Sequence, residues 1–100
     1  MAKRGYVYIL TNAHHTVLYT GVSSNLYHRV YQHLHPTEGE KHFSARYNLS
    51  KLVYYAEYPT MLQAIAEEKR IKAGSREAKI QLIESMNPGW EDLWKKLFWR

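Results

Sequence analysis

The chain has 100 residues, enough for one modest hydrophobic core and too few for two domains with separate cores, so we expect a single domain over residues 1–100. With 45% hydrophobic and 23% charged residues, its composition excludes an intrinsically disordered tail. Fourteen Lys and Arg against nine Asp and Glu give a formal charge of +5, which favours an acidic partner, nucleic acid first. The absence of cysteine excludes disulfides, thiolate metal sites and cysteine nucleophiles.

The first apolar stretch of the chain occupies residues 5–10 and ends at Thr11. It is too short for the core of a signal peptide or for a membrane span. We therefore expect a soluble, cytoplasmic protein that does not associate with membranes.

Two short runs rich in aromatic and β-branched residues, 6–10 and 17–21, flank a polar turn at 11–16 and predict a β-hairpin. Alternation along the first strand places Tyr6, Tyr8 and Leu10 on one face, opposite Val7 and Ile9. Tyr8 therefore points away from the aliphatic face of the predicted sheet.

A helix is predicted over residues 26–35, after the cap residues 23–25 and before Pro36. Arg29 and His33 are four residues apart and border the apolar stripe of this helix. Residues 36–50 indicate a loop or a partly helical excursion, and residues 52–58 a third strand.

Three helical segments follow: residues 61–72, then a helix that begins after Ser75 and ends at residue 86, then residues 90–99. The apolar arc of the first consists of Met61, Leu62, Ala64, Ile65 and Ile71. Together the elements predict an α+β fold, a small three-stranded antiparallel sheet flanked by three or more helices.

Glu68 lies within the apolar arc of helix 61–72, whereas Glu67 lies off its edge. An ionised carboxylate there needs a cation, a metal or a solvent-filled cleft. Two interpretations stay open: an ion pair with a nearby Lys or Arg, and a divalent-metal ligand in a cleft between sheet and helices.

Arg29 also has two interpretations, either as a side chain whose stem covers apolar surface or as a site residue. The six histidines have no zinc-site spacing.

The ordered set Tyr6-Val7-Tyr8, Tyr19-Thr20-Gly21, Arg29 with His33, and a helix-borne Glu68 resembles the GIY-YIG nuclease family. It is most similar to small stand-alone bacterial members, whose module resembles the N-terminal incision module of the excision-repair endonuclease subunit. The resemblance spans residues 5–93 and implies a GIY-YIG endonuclease-like fold. Two positions depart from the family pattern, because Tyr6 stands where a glycine is expected and Thr20 where a branched aliphatic residue is expected; neither removes a reacting group.

The resemblance implies catalytic roles for five residues. Tyr8 and Tyr19 would be the motif tyrosines, with Tyr8 as general base, provided that its neighbours lower its pKa, since tyrosine titrates near pH 10. Arg29 would contact the scissile phosphate, and His33 would take or relay the tyrosine proton. Glu68 would bind one Mg²⁺ or Mn²⁺ ion. Asn87 is a further candidate, as the counterpart of a late asparagine of the family.

The resemblance thus implies a metal-dependent endonuclease acting on DNA, with RNA left open, in DNA repair or recombination. The basic residues expected to contact phosphates are Lys3, Arg4, Lys41, Arg46, Lys69 and Arg70. One alternative is a catalytically weak or inactive nucleic-acid-binding module. Another is a protein-interaction domain that docks through Trp90, Trp94 and Trp99, an apolar set that needs either the domain itself or a partner to cover it.

Overall fold

A computed structural model describes residues 3–35 and 48–98 of the chain. The strands are β1 (Gly5–Thr11), β2 (Leu18–Ser23) and β3 (Lys51–Tyr58). The helices are α1 (Leu26–Leu34), α2 (Met61–Ala73), α3 (Arg76–Met86) and α4 (Leu93–Phe98). The strands form one antiparallel sheet in the order β2-β1-β3, so the predicted α+β class and sheet are confirmed. None of the helices in these two ranges is long and apolar enough to cross a membrane.

Side-chain caps define where three of the helices begin. The side-chain oxygens of Asn25, Thr60 and Ser75 each accept a hydrogen bond from the backbone N–H three residues later. The last helix begins at Leu93 instead of the predicted residue 90. Trp90 has a left-handed backbone (φ 53°), which a helix does not admit, and Asp92 accepts the Trp94 N–H at 3.1 Å.

The sheet separates two apolar clusters. On one face Val7 and Ile9 pack with Ala64 and Ile71 of α2 and with α3. On the other face Tyr8 and Leu10 pack with α1 and α4. Tyr8 therefore lies on the face away from Val7 and Ile9, as its position in the alternating pattern predicts.

Leu62 belongs to the apolar arc of α2, but it is 81% exposed. In α2 the residue lies about 200° around the helix axis from Ala64, which is fully buried against the sheet. The sheet covers a narrower arc of α2 than the apolar residues of the helix span.

Thr20 is 3% exposed, and its hydroxyl has no hydrogen-bond partner among the described residues. It pairs with Ile9 in the sheet and so lies on the aliphatic face. We expect Thr20→Val to raise the free energy of unfolding by about 1 kcal/mol, because it removes a buried hydroxyl whose desolvation is uncompensated. Urea denaturation monitored by circular dichroism measures the change.

Thr11→Val is the matched control. Thr11 is equally buried, but its hydroxyl donates to the Val17 carbonyl at 2.7 Å. Its replacement is expected to destabilise the protein by about 1 kcal/mol. Equal losses of stability for both variants would show that the Thr20 hydroxyl is satisfied in solution.

Candidate active site

The two motif tyrosines meet at His33. Tyr8 is on the central strand and 1% exposed, and its hydroxyl oxygen lies 3.2 Å from Nε2 of His33. Tyr19 pairs with Leu10, which places it on the same face as Tyr8. Its ring centroid is 5.2 Å from that of His33, which is itself buried. The imidazole therefore contacts both tyrosine rings.

The backbone of Gly21 allows this arrangement. Gly21 pairs with Tyr8, and a Cβ atom added to it would lie 2.4 Å from both Cζ and the hydroxyl oxygen of Tyr8. The tyrosine ring thus crosses the strand where a side chain would otherwise stand. The glycine of the Tyr19-Thr20-Gly21 motif is required by this close approach and not by a turn.

Three neighbours and burial set the acidity of Tyr8. Burial is the largest effect and raises the pKa of Tyr8 to about 12, with smaller increases from Tyr19 and Glu68. The Arg29 guanidinium opposes them, by hydrogen bonding to the hydroxyl and by its charge. Arg29 therefore lowers the pKa of Tyr8, as the role of general base requires. Burial outweighs this effect, so Tyr8 is protonated at neutral pH.

Arg29 and Glu68 reach Tyr8 from different helices. Arg29 is exposed on α1, one turn before His33. Glu68 is on α2, with only 13% of its side chain exposed, and its Oε2 lies 3.0 Å from Nζ of Lys72. The structure contains the ion pair of the first interpretation, and the same carboxylate raises the pKa of Tyr8. The metal-ligand interpretation of Glu68 stays a prediction.

The donor set at Glu68 fits a hard divalent ion held by a single carboxylate. No group of three or more metal-ligating side chains occurs in the described ranges. Mg²⁺ accepts one carboxylate together with waters and substrate phosphate oxygens. The Lys72 ammonium shows that a cation is accommodated against this oxygen. Lys72 has no role among the sequence predictions, although its spacing of four residues from Glu68 is the spacing of a helical ion pair.

Glu67 is engaged elsewhere. Nε of Arg70 donates to its Oε1 at 2.9 Å, and this hydrogen bond holds the pKa of Glu67 below its usual value. Glu67 and Glu68 therefore have different partners, as their different positions on the helix require.

The predicted phosphate-binding residues divide into three groups. Arg4 is paired with Glu57, and Arg70 with Glu67. Lys3 and Lys69 are exposed and have no ion-pair partner in the described part of the chain. The two others, Lys41 and Arg46, lie outside the described residues.

Asn87 is engaged in backbone hydrogen bonds. It is 3% exposed; its Nδ2 donates to the carbonyls of Val53 (3.1 Å) and Glu91 (2.8 Å), and its Oδ1 accepts the Glu91 N–H (3.0 Å). These bonds fix the segment between α3 and α4 against β3. A catalytic role for Asn87 stays a prediction.

Two of the three tryptophans contact rings of the domain itself. Trp90 stacks on His15 with ring centroids 4.6 Å apart, and Trp94 stacks on Tyr27 at 4.9 Å. Trp99 lies outside the described residues. Trp90 and Trp94 are thus covered at least in part by the domain itself.

The part of the chain that carries this site matches a known protein family. The family model described as the GIY-YIG catalytic domain matches residues 4–81, the part that carries Tyr8, Tyr19, Arg29, His33 and Glu68. The chain belongs to the GIY-YIG family, which confirms the resemblance in its motifs. Membership supports a nuclease that acts on nucleic acid.

Two relatives place the chain more narrowly, among the small proteins called UPF0213. The UPF0213 protein OB0043 of Oceanobacillus iheyensis is 36% identical over 84 residues, which cover 84% of this chain and 94% of that protein. The solution NMR structure of the UPF0213 protein BH0048 from Bacillus halodurans matches with a TM-score of 0.56 and 27% identity. That match covers 92% of this chain and 95% of the other.

Proposed function

We propose that this chain is a divalent-metal-dependent endonuclease that hydrolyses phosphodiester bonds in DNA, as one domain with Tyr8, Tyr19, Arg29, His33 and Glu68 as its site. The observation that carries the proposal is the Tyr8 hydroxyl, 3.2 Å from the His33 imidazole and under the influence of Arg29 and Glu68 together. A buried titratable group with a strongly raised pKa, under the influence of charged side chains on two helices, is typical of catalytic sites.

The Tyr8 hydroxyl acts as a proton relay in this mechanism. With a pKa of about 12, Tyr8 has too little phenolate at neutral pH to act alone as the base. Its oxygen instead accepts the proton of the attacking water while its own proton passes to Nε2 of His33. Tyr19, packed against the His33 ring, holds the imidazole in place.

Arg29 and Glu68 act on the phosphate. The Arg29 guanidinium, which is exposed, would neutralise charge that develops on the non-bridging oxygens. Glu68 would hold the divalent ion, either Mg²⁺ or Mn²⁺, which supplies Lewis-acid polarisation of the phosphate when bound. Lys3 and Lys69 remain candidates for contacts with the nucleic-acid backbone. The proposal also assigns the activity to DNA repair or recombination, and the protein to the cytoplasm.

One observation favours a second candidate, a nucleic-acid-binding module with little or no catalysis. The Glu68–Lys72 ion pair occupies the carboxylate that a metal would need. A protein in which that pair persisted would bind phosphates through its basic residues and cleave slowly.

Glu68→Gln separates the two candidates. We expect it to lower the rate of DNA cleavage in Mg²⁺ or Mn²⁺ by at least about 100-fold, because the metal ligand is lost. DNA binding in EDTA should change little. Cleavage of a labelled oligonucleotide and fluorescence anisotropy provide the two measurements.

Glu67→Gln is the control for this test, since it removes the adjacent charge, whose partner is Arg70. It should cleave at nearly the wild-type rate. Equal losses in both variants would contradict the assignment of Glu68. If the wild-type protein cleaves neither DNA nor RNA with either metal, the binding module is the better description.

A further inference from the structure

The Glu68–Lys72 pair joins a fixed anion to a movable cation. The Glu68 side chain is 13% exposed, whereas that of Lys72 is 51% exposed, and Nζ lies 3.0 Å from Oε2. Both residues are on α2, one turn apart, so their backbones are fixed relative to each other. The ammonium is at the end of a flexible four-carbon stem and remains largely in solvent. Lys72 is therefore the member of the pair that can leave.

The two cations compete for one carboxylate. A largely buried carboxylate without a cation is unfavourable, so Lys72 stabilises Glu68 in the metal-free protein. A divalent ion at the same oxygen would repel an ammonium held 3.0 Å from it. The neighbouring cations of α2 are placed differently, because Arg70 is paired with Glu67 and Lys69 is exposed without an ion-pair partner in the described ranges.

We propose that Lys72 is a displaceable counter-ion of the metal site. Its ammonium neutralises Glu68 in the metal-free protein, a divalent ion displaces it, and the displaced ammonium then binds a phosphate oxygen of the nucleic acid. The inference rests on the proposed role of Glu68 as metal ligand. It gives a role to Lys72, which the proposed mechanism does not use.

Displacement couples metal binding to nucleic-acid binding. Without metal, the charge of Lys72 is cancelled by Glu68 and contributes little to phosphate binding. With metal, that charge is released to the backbone. By linkage, nucleic acid that engages Lys72 also strengthens metal binding by the same factor. The site would then fill with metal preferentially when substrate is present.

The first test measures Mn²⁺ binding to the full chain by isothermal titration calorimetry without nucleic acid. Lys72→Met is expected to bind Mn²⁺ about tenfold more tightly than wild type, since no ammonium has to be displaced. Lys69→Met, the matched control, should bind within about twofold of wild type, and Glu68→Gln should bind least. Lys72→Gln, a polar replacement that also removes the charge, repeats the measurement if the methionine variant folds poorly.

The second test measures binding of a labelled DNA oligonucleotide by anisotropy, in EDTA and in Ca²⁺, with strand integrity checked on a gel. Lys72→Met should weaken binding about threefold or more in Ca²⁺ and have little effect in EDTA. Lys69→Met should have the same effect in both solutions.

Three results would overturn the proposal. One is a Lys72→Met protein that binds Mn²⁺ no more tightly than wild type. Another is an equal loss of DNA affinity with and without metal, which would make Lys72 a permanent phosphate contact. The third is an absence of Mn²⁺ binding in every variant. Cleavage by the wild-type protein in Mg²⁺ is assayed separately, and it decides whether the nuclease proposal stands.

Discussion

Replacing Tyr8 with phenylalanine is expected to lower the single-turnover rate of DNA cleavage by about 10²- to 10⁴-fold, the range that general acid–base groups contribute. The change removes one oxygen, and with it the path from the attacking water to Nε2 of His33. The ring that packs against Gly21 remains. Stability should fall by no more than about 1 to 3 kcal/mol, the cost of leaving one buried hydrogen-bonding atom without its partner. Cleavage is measured on a labelled oligonucleotide with protein in excess.

Tyr55→Phe is the control for this loss. Tyr55 pairs with Tyr8 across β1 and β3 and so lies on the same face of the sheet. Its hydroxyl has no part in the proposed relay, and the variant should cleave at close to the wild-type rate. A Tyr8→Phe protein that retains full activity, or a Tyr55→Phe protein that loses as much, would exclude Tyr8 as the proton-transfer group.

The pH dependence of the wild-type rate distinguishes a relay from a free phenolate. If Tyr8 had to ionise before the attack, the rate would rise about tenfold per pH unit and would level off only near its pKa of about 12. In the relay Tyr8 stays protonated at the start of the reaction. The rate should then show no such rise between about pH 8 and 10.

Gly21→Ala is expected to abolish most cleavage without removing any reacting group. Its Cβ would lie 2.4 Å from both Cζ and the hydroxyl oxygen of Tyr8, a distance that no side chain tolerates, so the tyrosine or the strand must move. The relay would lose its contact with His33, and activity should fall to nearly the level of Tyr8→Phe. Overpacking at this buried point should also cost about 1 to 3 kcal/mol of stability. Urea denaturation and the same cleavage assay measure both effects.

Gly89→Ala tests whether the loss is specific. A Cβ at Gly89 would meet only Cγ of Glu91, at 3.6 Å, which is an ordinary contact. Stability and cleavage should both be unchanged within error. Normal cleavage by Gly21→Ala would mean that the Tyr8 ring does not need to cross the strand at this glycine.

Much of the fold is predictable from local patterns in the sequence. Alternation along residues 6–10 places Tyr8 away from Val7 and Ile9, and the structure has the same division. Asn25 and Ser75 are typical N-cap residues, and each caps the helix that follows it. Such predictions succeed because each depends on a few consecutive residues and on backbone geometry.

Other features depend on how the elements pack, which periodicity does not contain. Leu62 belongs to the apolar residues of α2 but is exposed, because the extent of the covering sheet decides which of them is buried. The contact between Tyr8 and His33 joins residues 25 apart and depends on how α1 lies on the sheet. The pKa of Tyr8 likewise follows from burial, and no residue type near it in the chain indicates a rise. Lys72 is a different case. The sequence contains its spacing of four residues from Glu68, but spacing alone does not show that the ion pair forms or that its carboxylate acts on Tyr8.

The position of β1 between β2 and β3 gives the proposed site an uneven mobility. A central strand has both edges hydrogen bonded, so its opening requires most of the sheet to open with it. Tyr8 is therefore held on the strand of the sheet that is paired along both edges. Arg29 and Lys72, by contrast, carry their charges on long side chains at exposed helical positions. In the proposed mechanism, the group that passes on a proton over 3.2 Å is held on the central strand. The groups that would follow a phosphate or be displaced by a metal are carried on flexible, exposed side chains.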